Sequence, residues 1–363
     1  MAMQRSHWSN NRILDLLGIE IPIIQAPMAG ISTPEMISAV ARAGGLGSLP
    51  LGMATPQDAQ AALGALGDLV GARLNVNFFC HRREPDSPAR DSGWQQGVQA
   101  HFQEMSLPAS TQPVAPYDSS FGEWQCEWVE RVRPNVVSFH FGLPDPSLVK
   151  RVKATGAKIL CSATTVREAR WLEAAGCDAI IAQGLEAGGH RGSFLDLEVA
   201  TQLGTLALVP QVVNVVNVPV IAAGGIADAR GVAAALLLGA SAVQIGTAYL
   251  FCPEARISPA YRAALKTAGE VGTVITNVLS GRPARALRNR LVQSLGPLRD
   301  DVPQFPAPAF TLRALSEASE RQGSHEFTSV WCGQGAPLCS QQPADVLTRR
   351  LAEEAGQLLT LSE

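Results

Sequence analysis

The sequence predicts a (β/α)8 TIM barrel with a mainly helical C-terminal lobe, and three observations predict it. Eight strand-length apolar runs recur along the chain, the number that closes such a barrel. Helix-patterned segments separate them, as βαβ units of a parallel sheet require. Glycine-rich stretches follow several runs at their C-terminal ends, where barrels of this kind keep their sites. A doubly wound open sheet satisfies the alternation alone and is the structural alternative.

The runs are 21–27, 46–50, 74–79, 136–142, 158–163, 179–184, 219–225 and 242–250, most of them rich in Val, Ile or Phe. Between them, 34–43, 56–66, 146–155, 165–175 and 228–238 carry apolar residues at helical spacing. Pro34, Pro56 and Pro146 stand where a first-turn proline is tolerated, just after Thr33, Thr55 and Asp145 as N-caps. The barrel is expected over 11–253. Two regions break its repeat. Residues 81–122 are long and rich in Pro, Ser and Gln, and are expected to lie as an inserted loop over the C-terminal face, as a lid or wall. Residues 254–363 are expected to form the lobe, with helices over 261–277, 309–322 and 344–359 and too few strands for a second sheet domain.

Composition excludes several functions. The 363 residues carry a formal charge of −3 with no basic run, so a nucleic-acid face has no support. No apolar run reaches the roughly 20 residues that span a bilayer. The N-terminus has no signal-peptide h-region. The seven cysteines are odd in number and form no CxxC, which points to free thiols in a reducing, cytoplasmic setting. The six histidines and the cysteines show no metal-ligand spacing, so no metal is expected.

Chemistry concentrates at strand ends. After 219–223, Gly224 and Gly225 precede a helix, and the following run ends in Gln244-Ile-Gly246-Thr247. Paired glycines let a phosphate approach backbone N–H groups, and the next helix adds its positive end. A plain tight turn is the competing reading. The first run ends in Gln25-Ala26-Pro27-Met28, side chains that fit flat beneath a planar ring. Asn75 and Asn77 share one face of the third run, where buried amides need partners, within the protein or on a ligand. In 136–142, Val137, Phe139 and Phe141 are assigned to the helix-facing side. His140 then points into the barrel, as a core group or a substrate ligand. The most specific stretch is Gln183-Gly-Leu-Glu186-Ala-Gly188-Gly189-His190. There Gln183 can pair with a heterocycle edge, the glycines bring backbone close, and His190 is held over the mouth. A flexible loop with an incidental histidine is the alternative.

Taken together, Gln25-Ala-Pro-Met28, Asn75-Val-Asn77, the Gln183–His190 stretch, Ala223-Gly-Gly225 and Gln244-Ile-Gly-Thr247 resemble nitronate monooxygenase, formerly 2-nitropropane dioxygenase. The likeness spans about 15–255, and in outline the tail, where Trp331-Cys-Gly-Gln334 matches. It implies FMN, with the phosphate on Gly224, Gly225, Gly246 and Thr247. Ala26, Pro27, Met28, Asn77, Gln183 and Gly188 would surround the ring and ribityl chain, with Gly189, Ala223 and Gln244 in the same motifs. His190 matches the family's catalytic histidine. One departure stands out. Bacterial members often carry a tail Tyr and, eight residues on, a Lys, and by position these are Phe310 and Ala318 here.

The resemblance implies oxidation of alkyl nitronates, and of nitroalkanes if His190 acts as a base, by O2 to carbonyl compounds and nitrite. His190 serves as base or as hydrogen-bond donor to the nitro group. The expected partners are a small-molecule substrate and O2, with a homodimer admissible. The alternatives are an NAD(P)H-dependent FMN reductase acting on an enoyl thioester or quinone, and a non-enzymatic phosphate-ligand sensor.

Overall fold

The computed structural model describes Trp8 and residues 11–69, 73–82, 92–109 and 120–361. Eleven strands lie among the described residues. In chain order they are β1 (Ile23–Gln25), β2 (Gly47–Pro50), β3 (Leu74–Phe79), β4 (Val136–His140), β5 (Lys158–Ala163), β6 (Ala179–Gln183), β7 (Gly189–His190), β8 (Val220–Ala223), β9 (Ala242–Ile245), β10 (Thr273–Thr276) and β11 (Ala284–Leu287). Eight of them form one parallel sheet in the order β1-β9-β8-β6-β5-β4-β3-β2. Its two edges meet through Gln25 N donating to the Leu46 carbonyl at 2.9 Å and Leu46 N donating to Ile23 at 3.0 Å, so the barrel closes. The open doubly wound sheet is thereby excluded.

The strands are short because their sequences stop being apolar at the rim. Residues 247–250, at the end of the last predicted run, form a turn of helix, Thr247–Leu250. The register sets the site-bearing residues at one level: Asn77 lies opposite Ser138, Gln183 opposite Ala223, and Ala223 opposite Gln244. The surrounding helices begin where the caps predict. Thr33 Oγ1 accepts from Met36 N, Thr55 and Asp58 form a full capping box, and the Asp145 carboxylate accepts from Ser147 N. Gly47 is glycine because the helix Pro34–Arg42 packs directly on β2; a Cβ there would sit 2.5 Å from the Ile37 carbonyl oxygen.

Several amides inside the barrel find partners within the protein, although among the described residues Asn75 Oδ1 and Gln244 Oε1 do not. Gln25 Oε1 accepts from Ser48 N at 3.0 Å, Asn75 Nδ2 donates to Ser48 Oγ at 3.0 Å, and Asn77 Nδ2 donates to Ser138 Oγ at 3.0 Å. Buried amides cost free energy unless bonded, so these bonds explain how apolar strands carry them.

Phe141 departs from its expected place on the helix layer. The strand ends at His140, and Phe141 takes φ 71°, which turns its ring over the barrel mouth. Val137 and Phe139, inside the strand, keep the outer face, with Phe139 edge-on to Phe121 at 5.1 Å.

The stretch 81–122 holds a helix, Ser92–Glu104, and its parts 83–91 and 110–119 lie outside the described residues. Trp94, Val98 and Phe102 on that helix pack into one core with Leu279, Leu291, Leu312 and Phe327 of the tail. The tail itself differs from the sequence expectation. Predicted as one helix, 261–277 is instead Pro259–Lys266, Ala268–Val271 and then β10. Gly272, at φ 76°, breaks the helix, and the β-branched run Thr273-Val-Ile-Thr276 follows as strand. Strands β10, β11 and β7 make a three-stranded antiparallel sheet. The last helix, Ala344–Thr360, leaves the lobe and buries Leu347, Leu351 and Ala355 in the barrel's own core. No helix among the described residues is long and apolar enough to cross a membrane.

Candidate active site

A cavity of about 360 Å³ opens at the C-terminal mouth of the barrel. It is lined by Ala26, Pro27 and Met28 after β1, Asn77 on β3 and His140 on β4. Gln183, Gly188, Gly189 and His190 follow from β6 onward, with Ala223 at the end of β8, Gly224 and Gly225 after it, Gln244 on β9, and Gly246 and Thr247 after β9. The fifteen residues assigned to cofactor or substrate from the sequence therefore face one space. Gln25 and Asn75 do not line it. Phe79, Ser280, Phe305, Pro306, Ala309 and Trp331 line it as well; none was assigned to the site from the sequence, and of them only Trp331 was quoted in a motif, that of the tail.

The Gln183–His190 stretch is a built structure. Gly189 and His190 pair antiparallel with Ala284 and Arg285 of β11, so the tail sews the loop in place. Two buried guanidiniums bolt it down. Arg191 Nη1 donates to the Gly184 carbonyl at 2.7 Å, Nη2 to the Gln183 carbonyl at 2.8 Å and Nε to Gln202 Oε1 at 2.7 Å. Arg285 donates twice to the Leu185 carbonyl, at 2.9 and 2.8 Å. Burial, and then the neighbouring Arg285 charge, pull the Arg191 pKa down to about 9, which still leaves it charged near neutrality. Glu186, the acidic residue of the motif, accepts from Thr205 N at 2.9 and 2.8 Å and caps the helix Thr205–Val213, whose own N-cap is Gly204. Gly188 is small for a reason inside the protein: a Cβ would lie 2.5 Å from backbone atoms of Cys332 and Gly333.

Gln183 is partly spent on the loop. Its Nε2 donates to the His190 carbonyl at 3.0 Å and its Oε1 accepts from Gly192 N at 2.8 Å. His140 is spent more fully. A carbonyl can only accept, so His140 Nε2–H donates to the His190 carbonyl at 3.2 Å, and Nδ1 accepts from the Ser162 hydroxyl at 2.9 Å. Both nitrogens thus serve the protein, and burial lowers the His140 pKa to about 4.

His190 itself has one fixed nitrogen. Its Nε2 lies 2.8 Å from Ser280 Oγ, and Ser280 Oγ donates to the Arg282 carbonyl at 3.2 Å. Ser280 has a single proton. Both contacts are satisfied only if that proton goes to the carbonyl and Oγ accepts from His190 Nε2–H. Nδ1 then carries the lone pair. Burial, then His140, Arg282 and His81, lower the His190 pKa to about 3. Ser280 is 90 residues away in sequence, and no local pattern signals it.

At the glycine end, Thr247 Oγ1 accepts from Gly333 N at 2.8 Å, leaving its hydroxyl proton to donate. The helix after Gly225 is less available to an anion than the sequence suggested. Its N-cap carboxylate, Asp228, already accepts from Arg230 N and Gly231 N. Gln244 Oε1 is buried with no hydrogen-bond partner. No Asp, Glu, Lys or Arg lines the cavity among the described residues. Burial pushes the Cys252, Cys332 and Cys339 thiols up to about 12, so none supplies a thiolate near neutral pH. Neither Phe310 nor Ala318 lines the cavity; from that helix Ala309 does.

The family model for nitronate monooxygenase matches residues 10–354. The chain belongs to the nitronate monooxygenase family. It is 42% identical to a nitronate monooxygenase from Pseudomonas aeruginosa, over 95% of this chain and 99% of that protein. It is 40% identical to one from Paraburkholderia phytofirmans, over 95% of each. Among solved structures it resembles nitroalkane oxidase from Streptomyces ansochromogenes, with TM-score 0.88, 33% identity, and coverage of 97% and 99%. FabK from Thermotoga maritima is also similar, with TM-score 0.71, 31% identity and 97% of each chain covered. As a member of the nitronate monooxygenase family the chain is an oxidoreductase, and the cavity at its barrel mouth is the candidate active site.

Proposed function

We propose that the protein binds FMN in this cavity and oxidises alkyl nitronates with O2, giving a carbonyl compound and nitrite. The observation that carries the reading is the single cavity in which the Gly224–Gly225 and Gly246–Thr247 turns meet His190. The residues present fit FMN. The orphaned Gln244 Oε1 calls for a donor, which the flavin N–H or a ribityl hydroxyl offers. The Thr247 hydroxyl proton is free for a phosphate oxygen, and the loop glycines allow backbone approach. Ala26, Pro27 and Met28 would lie against the ring, with Asn77, Gln183, Gly188, Gly189 and Ala223 around its edge. When bound, FMN supplies the one-electron chemistry that lets a nitronate react with O2.

The chain's own residues decide which form of substrate it handles. Fixed by Ser280, His190 presents Nδ1 as an acceptor and so suits a base better than a hydrogen-bond donor. A pKa near 3 makes it a weak base, however. A nitronate is already deprotonated and needs no base, so it is the preferred substrate. A neutral nitroalkane would give its α-proton to Nδ1 slowly. His140 would hold the His190 backbone in place, through the bond from its Nε2, rather than touch the substrate.

His190→Asn tests this assignment. Nitrite release from neutral nitroalkanes should fall at least 100-fold, on the scale of a lost general base, and from preformed nitronates by less than 10-fold. Equal losses on both would remove His190 from proton transfer. A second reading, an NAD(P)H-dependent FMN reductase acting on an enoyl thioester or quinone, keeps the cavity and the cofactor. The likeness to FabK supports it, at a lower TM-score than the likeness to nitroalkane oxidase.

A further inference from the structure

One face of the barrel wall, outside the cavity, keeps apolar side chains in water. Ten large apolar side chains are exposed among the described residues, and four of them, Trp171, Leu195, Leu197 and Leu206, fall on two helices and the loop beside them. The helices Val166–Ala174 and Thr205–Val213 pack side by side. The loop lies directly on the first of them. The Trp171 and Phe194 rings meet edge-on at 5.2 Å, and Arg167 Nη2 donates to the Leu195 carbonyl at 3.4 Å. It is also fixed there, because the fully buried Glu168 carboxylate accepts from Phe194 N at 2.7 Å and from Leu195 N at 3.1 Å. Yet Trp171 stays 43% exposed and Leu197 50% exposed. Apolar side chains grouped in this way, with a polar border, mark contact sites for another protein.

The charges at the border say which protein. Arg167 and Arg170 stand exposed on the helix, and Asp196 and Glu198 stand exposed on the loop. None of the four is in a salt bridge among the described residues. The two carboxylates accept local backbone N–H groups, Asp196 Oδ1 from Glu198 N at 2.9 Å and Glu198 Oε1 from Ala200 N at 3.0 Å. The face is therefore basic on its helix and acidic on its loop. A partner of a single sign would meet like charge on half of it. A second copy of the chain, turned by a two-fold axis, sets helix against loop twice and meets opposite charge both times.

We infer that this face is the contact between two copies of the chain, with Trp171 and Leu197 at its centre and Arg167 and Arg170 of one copy opposite Asp196 and Glu198 of the other. The apolar centre supplies the affinity, as buried indoles do in protein contacts, and the charges set the register. The loop in the contact runs on from His190 through Arg191, so each copy stands against the outside of the chain that carries the other's His190. The contact is independent of the reaction assigned to the cavity.

The test is sedimentation velocity on the full chain over a range of concentrations. The unsubstituted protein should form a dimer with Kd on the order of micromolar or tighter. Trp171→Glu should raise that Kd at least roughly 30-fold. Two double variants then test the pairing. Arg167→Glu with Arg170→Glu makes the whole face acidic, and Asp196→Arg with Glu198→Arg makes it basic. Each alone sets like charges together twice and should be monomeric. Mixed, they present opposite charges at both contacts and should form a one-to-one heterodimer. A monomeric unsubstituted chain, or a dimer that survives Trp171→Glu and both double variants, would overturn the inference. So would a mixture that stays monomeric while each variant keeps its circular dichroism.

Discussion

At the scale of the residue, the account turns on which nitrogen of His190 is free. Because Ser280 Oγ cannot donate to both His190 and the Arg282 carbonyl, Nε2 keeps its proton and Nδ1 is the acceptor. Ser280→Ala removes this constraint without disturbing a charge. Turnover of neutral nitroalkanes should drop roughly tenfold, while that of preformed nitronates changes less than twofold. Ser280→Thr, which keeps the hydroxyl, should restore it. With the His190 pKa held near 3, its neutral form prevails at every pH well above that value. The kcat/KM for preformed nitronates should therefore be flat from about pH 6 to 8, measured by nitrite release at constant ionic strength; a break near the ordinary histidine value of about 6.5 would contradict the burial argument.

At the scale of the element, the glycine-rich loop works because the tail holds it. Gly189-His190 is a strand only in the company of β11, and Gly188 is pressed against Cys332–Gly333. Gly188→Ala should push these segments apart, costing about 1–3 kcal/mol of stability and weakening flavin retention, as read by thermal melts and flavin release on dilution. Arg191→Met should be more damaging, since it orphans the carbonyls of Gln183 and Gly184 at roughly 1–3 kcal/mol each. These elements also mark the limit of the sequence. The barrel strands, the Thr33, Thr55 and Asp145 caps and the cavity-lining motifs were legible because each is a local pattern of period, cap or glycine. Ser280, Phe305 and the β7–β11 pairing were not. They reach the site across long sequence separations, and nothing in the spacing of 261–277 announces that Gly272 turns helix into strand. Phe141 was misplaced because alternation assumes the strand continues, and its positive φ ends it. Glu186 was quoted within the motif, but its cap on Thr205 became visible only when helix and loop were brought together.

At the scale of the whole molecule, the barrel and the tail enclose one site, and the 92–104 helix braces the tail. Trp94 is buried to 1% exposure and its Nε1 donates to the Val278 carbonyl at 3.0 Å, tying the inserted helix to the lobe that carries Ser280. Buried histidines also make stability depend on pH. The folded His140 pKa of about 4 lies below the unfolded value of 6.5, so the unfolded chain binds more protons between them. The contribution is full above about 6.5 and is lost as pH falls towards 4. The melting temperature should decline over that window, and His140→Gln should flatten the decline. The central claim, that a flavin and a nitronate meet at His190, is tested most directly by one spectrum. The purified protein should be yellow, and anaerobic addition of a preformed nitronate should bleach the flavin, while NADH and NADPH leave it oxidised. Rapid bleaching by NADH or NADPH with no response to nitronate, or a colourless protein that takes up no FMN, would contradict it.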